Sequence, residues 1–339
     1  MSTSVRLGGR RARVAGAIAI RLSTVATVVL AACSGGDDDV DPGPLPELEA
    51  PVSAKVPPVN GAYFGAFVGV GTESPEDFAA QEELLGRRWV IDNRFYSFED
   101  WLGDRTRWAI ERHKVPLITW EPQHQPLDEI LAGMHDENIR SRAEGARDLG
   151  VEIFMRWGHE MNGNWYPWSG ARNGGADGGP AKYIAAYRHV HDIFVEVGAT
   201  NVVWIWNPLV TDVPAEPWNH WTNYYPGDEY VDWVGLDAYN WGTSSSCCVW
   251  QSFPTLIAAL YADYAGKKPL MVPETASAEV GGDKAAWIRE MHQSLKTDFT
   301  AIKALVWFDI DKETDWRIAS SPKTLEAYKA MAHDPYFNP

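Results

Sequence analysis

The stretch VEIFMRWGHEMNGNWYPW (residues 151–168) changes character twice along its length. It opens on apolar side chains of the kind that form a buried strand, at Val151, Ile153, Phe154 and Met155. Polar side chains follow at Arg156, His159 and Glu160, and then an aromatic loop. Because strand side chains alternate between two faces, Arg156 and Glu160 are predicted to share a face. The pattern indicates either a structural ion pair at a strand end or a functional carboxylate beside a positive charge.

The rest of the chain alternates apolar strands with helical patterns. We predict eight strands, at 62–70, 89–95, 115–120, 151–158, 201–206, 231–239, 269–273 and 302–309. Apolar strands separated by helices indicate a parallel sheet that is covered on both faces. Eight such units predict a (β/α)8 TIM barrel in one domain, residues 59–339. The alternative is a doubly wound open sheet, but no Gly-rich phosphate loop follows the first strand.

The N-terminus has the composition of an export signal. Residues 1–33 have an Arg-rich start, followed by short apolar runs, and they end in LAAC (30–33). This ending resembles a bacterial lipobox, with Cys33 as the lipidated residue. An ordinary cleavable signal, in which Cys33 is incidental, is the alternative. Residues 34–58 are rich in Gly, Pro and Asp, so we predict a flexible linker. We therefore expect an exported protein, anchored to the cell envelope or extracellular.

Composition restricts the partners. The formal net charge is -16, which argues against nucleic acid as a partner and is compatible with a neutral polysaccharide. The chain has 17 Trp, several of them beside Gly, Asn and Pro, and flat aromatic rings suit both core packing and stacking on sugars. Three Cys are too few for a disulfide scaffold, and no Cys/His spacing suggests a metal site. We expect a monomer without a cofactor.

Polar residues recur at the C-terminal ends of the predicted strands, where barrel enzymes build their active sites. These residues are Glu121, Glu160, Asn207, Tyr239, Glu274 and Asp309. Glu160 and Glu274 follow the fourth and seventh strands, so they are predicted on opposite sides of the barrel mouth. Glycoside hydrolysis needs two carboxylates, of which one is protonated and donates to the leaving oxygen while the other is ionised.

The motif RWGHEMNGNWYPW (156–168) closely resembles the fourth-strand motif of glycoside hydrolase family 26. The resemblance extends more weakly over residues 60–335. That family consists of retaining (β/α)8 enzymes, mostly endo-β-1,4-mannanases, with some mixed-linkage β-glucanases and β-1,3-xylanases. The resemblance therefore implies a retaining endo-β-1,4-glycanase that acts on a polysaccharide, first of all β-mannan.

The resemblance also implies roles for individual residues. Glu160 matches the general acid/base, and Glu274, in MVPETAS (271–277), matches the nucleophile. Tyr239, in GLDAYNW (235–241), matches a tyrosine that hydrogen-bonds the nucleophile, with His159 and Arg156 as further supporting residues. Substrate contacts are expected from Trp120, Glu121, Trp165, Trp168, Asn207 and Trp307. A structural reading stays open for Glu274 as a helix N-terminal residue, and for Tyr239 as a core tyrosine.

One loop departs from the family pattern. Mannanases of the family often carry a sugar-contacting histidine after the third strand, where this chain reads TWEPQH (119–124). Either His124 takes that role or Trp120 and Glu121 build the subsite, which raises mixed-linkage glucan as an alternative substrate. The same motifs are compatible with a hydrolase of bacterial exopolysaccharide and with a non-catalytic glycan-binding lipoprotein. Retention of both Glu160 and Glu274 argues against the binding protein.

Overall fold

In the part of the chain that the structure describes, nine parallel strands form one sheet that closes on itself. The computed structural model describes residues 45–69, 71, 73–100, 102–246 and 248–339. The strands are β1 (Tyr63–Val68), β2 (Ile91–Ser97), β3 (Val115–Glu121), β4 (Ile153–Trp157), β5 (Val202–Trp206), β6 (Trp233–Gly235), β7 (Ala238–Asn240), β8 (Leu270–Ser277) and β9 (Ile302–Asp309). The predicted sixth strand is present as two segments, β6 and β7, which both pair with β8. The sheet is therefore an eight-stranded barrel, as the sequence predicted.

Helices connect the strands. They are α1 (Pro75–Leu85), α2 (Asp104–Glu111), α3 (Leu127–Leu131), α4 (Asp136–Asp148), α5 (Gly179–Val197), α6 (Phe253–Tyr264), α7 (Lys284–Thr297) and α8 (Pro322–Ala332). Local sequence sets their ends. Ser74 caps α1 through the Asp77 N–H, and Gly86 ends it at a φ of 76°, a conformation that glycine adopts without strain. Within the described residues, none of these helices has the length and apolar character needed to cross a bilayer.

Strand alternation sorts the apolar side chains into two layers. Leu117, Phe154 and Val203 are neighbours in register and belong to a small cluster made mainly of strand residues, which fills the barrel. The adjacent residues Ile118 and Met155 belong to the larger cluster, which includes the buried faces of the helices. Trp120 and Trp157, which are paired in register, also lie in this outer layer.

The described part of the predicted linker, residues 45–58, packs against the N-terminal end of the barrel. Ala54 is fully buried, and its carbonyl accepts a hydrogen bond of 2.9 Å from Trp233 Nε1. Glu152, just before β4, accepts hydrogen bonds from Ser53 Oγ and the N–H of Ala54, both at 2.8 Å. This part of the predicted linker is thus anchored to the barrel, which its Pro-rich composition did not reveal. The predicted signal and Cys33 lie outside the described residues.

Candidate active site

Glu160 and Glu274 open into one cleft at the C-terminal ends of the strands. Glu160 lies three residues beyond the end of β4, and Glu274 is part of β8. The cleft has a volume of about 700 Å³. Its lining includes Phe67, Glu73, Phe95, Glu121, Tyr166, Leu209, Trp241, Phe308, Lys312, Glu313 and Trp316. As whole residues, Glu160 and Glu274 are 8% and 5% exposed, so both are largely shielded from water.

Glu274 is held by two donors, one on each oxygen. Tyr239 donates its hydroxyl hydrogen to Oε2 at 2.7 Å, and Arg156 donates from Nη2 to Oε1. Burial and the charge of Glu274 raise the pKa of Tyr239 far above its usual range, so the phenol remains a donor. The two contacts fix the orientation of the Glu274 carboxylate.

Arg156 is completely buried and is itself fixed on every side. Its Nη1 donates to Asp237 Oδ2 and to Asn207 Oδ1, both at 2.9 Å, and its Nη2 donates to Thr119 Oγ1 at 2.7 Å. Burial lowers the pKa of Arg156, but the charges of Glu274 and Asp237 outweigh that effect and raise it. The guanidinium therefore stays charged beneath the cleft. The structural ion pair with Glu160, one of the two alternatives raised by the sequence, does not form, because Arg156 pairs with Asp237 and Glu274.

Glu160 lies in a different environment. Its Oε2 accepts one hydrogen bond of 3.0 Å, from Trp165 Nε1. Burial, and next the negative charge of Glu274, raise the pKa of Glu160 above its usual range. Glu160 therefore retains its proton at a pH where an exposed glutamate has lost it. A buried glutamate that keeps its proton is what the general acid of an acid/base mechanism requires.

His159 lies below the cleft floor. Its Nε2 is 3.9 Å from Glu274 Oε1, and burial together with the Arg156 charge lowers its pKa well below the usual value, so the ring is neutral. His159, Asp237 and Glu274 each offer one potential metal-ligand atom, and these three atoms lie within 4.8 Å of one another, a spacing that suits a metal ion. Arg156 already bonds both carboxylates, and a cation would have to displace it. We assign no metal to this cluster.

The expected substrate contacts divide into two groups. Glu121 and Trp165 line the cleft, and Trp165 is 41% exposed. Trp120 and Trp307 are fully buried in the outer layer, where Trp120 stacks on Phe98 with ring centroids 4.3 Å apart. Neither of these tryptophans lines the cleft, which corrects the expectation that they contact substrate.

Two further expected contacts lie behind the cleft wall. Trp168 is buried under Tyr166, with ring centroids 4.2 Å apart, and it donates from Nε1 to the His159 carbonyl. Asn207 is buried, and its Oδ1 accepts a hydrogen bond from Arg156. Trp168 thus supports His159, and Asn207 supports Arg156. Neither lines the cleft, which corrects the expectation that they contact substrate. His124, the proposed replacement for the third-strand histidine, is also absent from the cleft lining among the described residues.

Several cleft residues were not selected from the sequence. They are Glu73, Tyr166, Trp241, Phe308, Lys312, Glu313 and Trp316. Asp237, which binds Arg156, was also missed, although strand alternation places it on the same face as Tyr239. Phe308 could have been found in the same way, because it alternates with Trp307. The other cleft residues in that list lie on loops, where the sequence has no strand or helix periodicity from which the orientation of a side chain could be predicted.

The comparisons with known proteins agree with this geometry. Residues 125–264 match the model of Glycosyl hydrolase family 26. Endoglucanase H of Acetivibrio thermocellus is 39% identical over 277 residues, which cover 80% of this chain and 30% of that protein. Mannan endo-1,4-beta-mannosidase A and B of Caldalkalibacillus mannanilyticus is 38% identical over 136 residues, which cover 38% of this chain and 25% of that protein. The chain thus spans less than a third of the length of either relative.

Solved structures show the same fold at low sequence identity. A Cellulomonas fimi endo-beta-1,4-mannanase double mutant superposes with a TM-score of 0.62 at 18% identity, over 82% of this chain and 71% of that one. The Bacillus subtilis mannanase man26 gives a TM-score of 0.57 at 19% identity, over 82% and 86% of the two chains. These likenesses concern the barrel alone. Residues 125–264 are thus similar to glycoside hydrolase family 26, and the 39% identical relative extends the sequence similarity over 80% of this chain.

Proposed function

We propose that the chain hydrolyses internal β-1,4 linkages of a neutral polysaccharide with retention of configuration. One observation carries the proposal. Two buried carboxylates face the same cleft, and one holds a proton while the other is bound by an arginine and a tyrosine. A non-catalytic binding site has no need for this difference between Glu160 and Glu274.

The difference assigns the roles. Glu160 donates its proton to the glycosidic oxygen as the bond to the anomeric carbon breaks, and Glu274 attacks that carbon to form a glycosyl ester. The ester removes the charge of Glu274, one of the causes that raise the pKa of Glu160. Glu160 then ionises more readily and takes a proton from water, which attacks the ester and releases Glu274. Arg156 and Tyr239 keep Glu274 in place throughout.

The cleft favours an uncharged substrate. Among its described lining residues, five side chains are glutamates and one, Lys312, is a cation. An acidic polysaccharide would be repelled by this excess of negative charge. Trp165 and the partly exposed Trp241 offer ring faces for stacking on sugars, as expected of a glycan-binding groove.

β-Mannan is the first substrate we propose, because several relatives are named mannan endo-1,4-beta-mannosidase. Mixed-linkage β-glucan is the second candidate. Two observations favour it. The relative that covers 80% of the chain is named an endoglucanase, and the third-strand end presents Glu121 to the cleft where mannanases often carry a histidine.

The test is reducing-sugar release by residues 45–339 from mannan, glucomannan, mixed-linkage glucan and β-1,3-xylan. Proton NMR during hydrolysis should show the β-anomer of the product first. Glu160→Gln and Glu274→Gln should each abolish turnover, while Glu144→Gln, on the exposed face of α4, should leave it unchanged. Hydrolysis at the wild-type rate by both cleft variants would overturn the assignment. Activity on glucan alone would select the second candidate.

We also propose that the protein is exported and held at the membrane by a lipid on Cys33. Support comes from the sequence, in which the Arg-rich start and apolar runs end in LAAC (30–33). Cys33→Ser should move the protein from the membrane fraction to the soluble fraction of the producing cell. A wild-type protein that is already soluble would contradict the anchor.

A further inference from the structure

Glu160 adopts a backbone conformation that glutamate rarely takes. Its φ is +52°, in the left-handed region, and Gly158 two residues earlier has a φ of +56°. Non-glycine residues in this region are strained, and they persist when surrounding contacts hold them. The direction in which the Glu160 carboxylate points therefore depends on what fixes the backbone around it.

The loop after β5 supplies the fixing contacts. The Glu160 N–H donates to the Asn207 carbonyl at 2.8 Å. Two residues later, the Asn162 side chain forms a clamp with the backbone of Leu209. Its Nδ2 donates to the Leu209 carbonyl, and its Oδ1 accepts from the Leu209 N–H, both at 2.8 Å. Glu160 is thus tied to the neighbouring loop through its own N–H and through Asn162.

Further contacts use the rest of Asn162. Its Nδ2 also donates to Asp212 Oδ1 at 2.8 Å. Its carbonyl accepts from Asn219 Nδ2 at 2.7 Å and from the Val213 N–H at 2.9 Å. Asn162 is fully buried, and it is not among the described residues that line the cleft. It therefore does not contact substrate.

We propose that Asn162 is a positioning residue for the general acid. Its clamp on Leu209 holds the left-handed turn at Glu160, so that the carboxyl group is aimed at the glycosidic oxygen. The inference rests on the proposed function of Glu160. It predicts a loss confined to proton donation, because Glu274 is held separately by Arg156 and Tyr239.

Only an amide fits the clamp. The Leu209 carbonyl needs a donor and the Leu209 N–H needs an acceptor, and asparagine offers both on one short side chain. In Asn162→Asp the acceptor for the N–H remains, but both donor bonds are lost and a second carboxylate faces Asp212. In Asn162→Ala the whole clamp is lost. The aspartate variant has nearly the size of the original, so it fills the same space in the fold.

The test compares leaving groups. A 2,4-dinitrophenolate departs without a proton, whereas phenolate and the sugar oxygen of a polysaccharide need one. We would measure kcat/KM for phenyl and 2,4-dinitrophenyl β-disaccharides, in the mannose or glucose series that the wild type cleaves. For Asn162→Ala and Asn162→Asp we expect a loss of about tenfold to a hundredfold on the phenyl substrate, and about threefold or less on the dinitrophenyl substrate.

A matched control lies in the same loop. Asn173 Nδ2 donates to the carbonyls of Pro167 and Ser169 at 2.7 and 2.8 Å, so Asn173→Ala removes two amide hydrogen bonds to the backbone of this loop without removing a bond to Leu209. We expect it to keep the wild-type ratio of the two rates. Equal losses on both substrates in the Asn162 variants, or no loss, would overturn the inference. Failure of the proposed function is a different result, in which the wild type cleaves neither series.

Discussion

Tyr239 donates a hydrogen bond of 2.7 Å to Oε2 of Glu274, the oxygen that Arg156 leaves free. Hydrogen bonds to charged groups contribute about 1.5–3 kcal/mol. Tyr239→Phe removes the donor and keeps the ring, so we expect kcat/KM to fall about tenfold to a hundredfold. Tyr187→Phe is the control, because that buried hydroxyl has no hydrogen-bond partner among the described residues. A Tyr239→Phe enzyme as fast as the control would show that Arg156 alone holds Glu274.

The pH profile should report the proton on Glu160. Because the pKa of Glu160 is raised, the acid form persists to higher pH, and kcat/KM should decline on its basic side above the usual range for a glutamate. The charge of Glu121 is one of the causes that raise it. Glu121→Gln removes that charge, so the basic limb should move to lower pH. A basic limb that does not move would exclude Glu121 as an influence on the acid.

Trp165→Phe should move the basic limb of the kcat/KM profile to higher pH, opposite to the effect of Glu121→Gln. The Trp165 Nε1–H donates to Glu160 Oε2 and favours its ionised form, which lowers the pKa of Glu160. Phenylalanine keeps a ring in the cleft and lacks the donor, so the pKa should rise and the basic limb should shift upward. Profiles of kcat/KM against pH for the wild type and this variant provide the measurement. A downward shift would show that desolvation by the indole outweighs its hydrogen bond.

The barrel itself could be predicted from the sequence, because strand and helix periodicities are local signals. The eight predicted strands correspond to the observed ones. The interruption of the sixth at Leu236 and Asp237 was missed, and the seventh was predicted to end at residue 273, whereas β8 continues to Ser277. The N-terminal segment was harder. Residues 45–58 contain no periodicity, and their attachment depends on Glu152 and Trp233, which lie far away in the sequence.

Prediction of the site succeeded for residues that were selected by their chemistry at strand ends. It failed for residues whose role depends on which face of the strand the side chain occupies. Glu160, Glu274 and Tyr239 are polar groups at strand ends, and the structure brings them into contact with one cleft. Trp120 and Trp307 were selected as aromatics near those ends. In each case the flanking residues face inward, so alternation sends the indole outward toward the helices. Alternation along each strand would have excluded both.

Stability away from the cleft should depend on a buried ion pair. Lys114 Nζ lies 2.5 Å from Glu82 Oε1, and both side chains are 1% exposed. Among the described residues, Lys114→Met leaves the buried Glu82 carboxylate with Arg88, at 3.1 Å, as its one cationic partner, and we expect a loss of about 3 kcal/mol in the free energy of unfolding. Urea denaturation measures it. Arg107→Met, which breaks an exposed pair with Asp104, is the control and should change stability little.

The segment at residues 45–58 should stabilise the barrel without affecting catalysis. Glu152 accepts hydrogen bonds from Ser53 Oγ and from the N–H groups of Ala54 and Lys55, at 2.8, 2.8 and 3.1 Å. A protein that begins at Val59 loses these bonds and the burial of Ala54. We expect residues 59–339 to unfold with a free energy about 1–3 kcal/mol below that of residues 45–339. The rate of hydrolysis should be equal, because the segment lies at the end of the barrel opposite the cleft.

Low pH should reduce the difference in the free energy of unfolding between residues 45–339 and residues 59–339. Burial raises the pKa of Glu152, but the bonds from Ser53, Lys55 and Ala54 outweigh it and lower the pKa. A carboxylate with a lowered pKa in the folded state stabilises at neutral pH, and the contribution is lost as pH falls through that pKa. Urea unfolding of both proteins between pH 7 and about pH 3 should therefore show the gap narrowing below the usual glutamate range of about 4.3. Glu152→Ala in residues 45–339 should reduce the gap at neutral pH. A gap independent of both pH and Glu152 would assign the attachment to Ala54 and Trp233 alone.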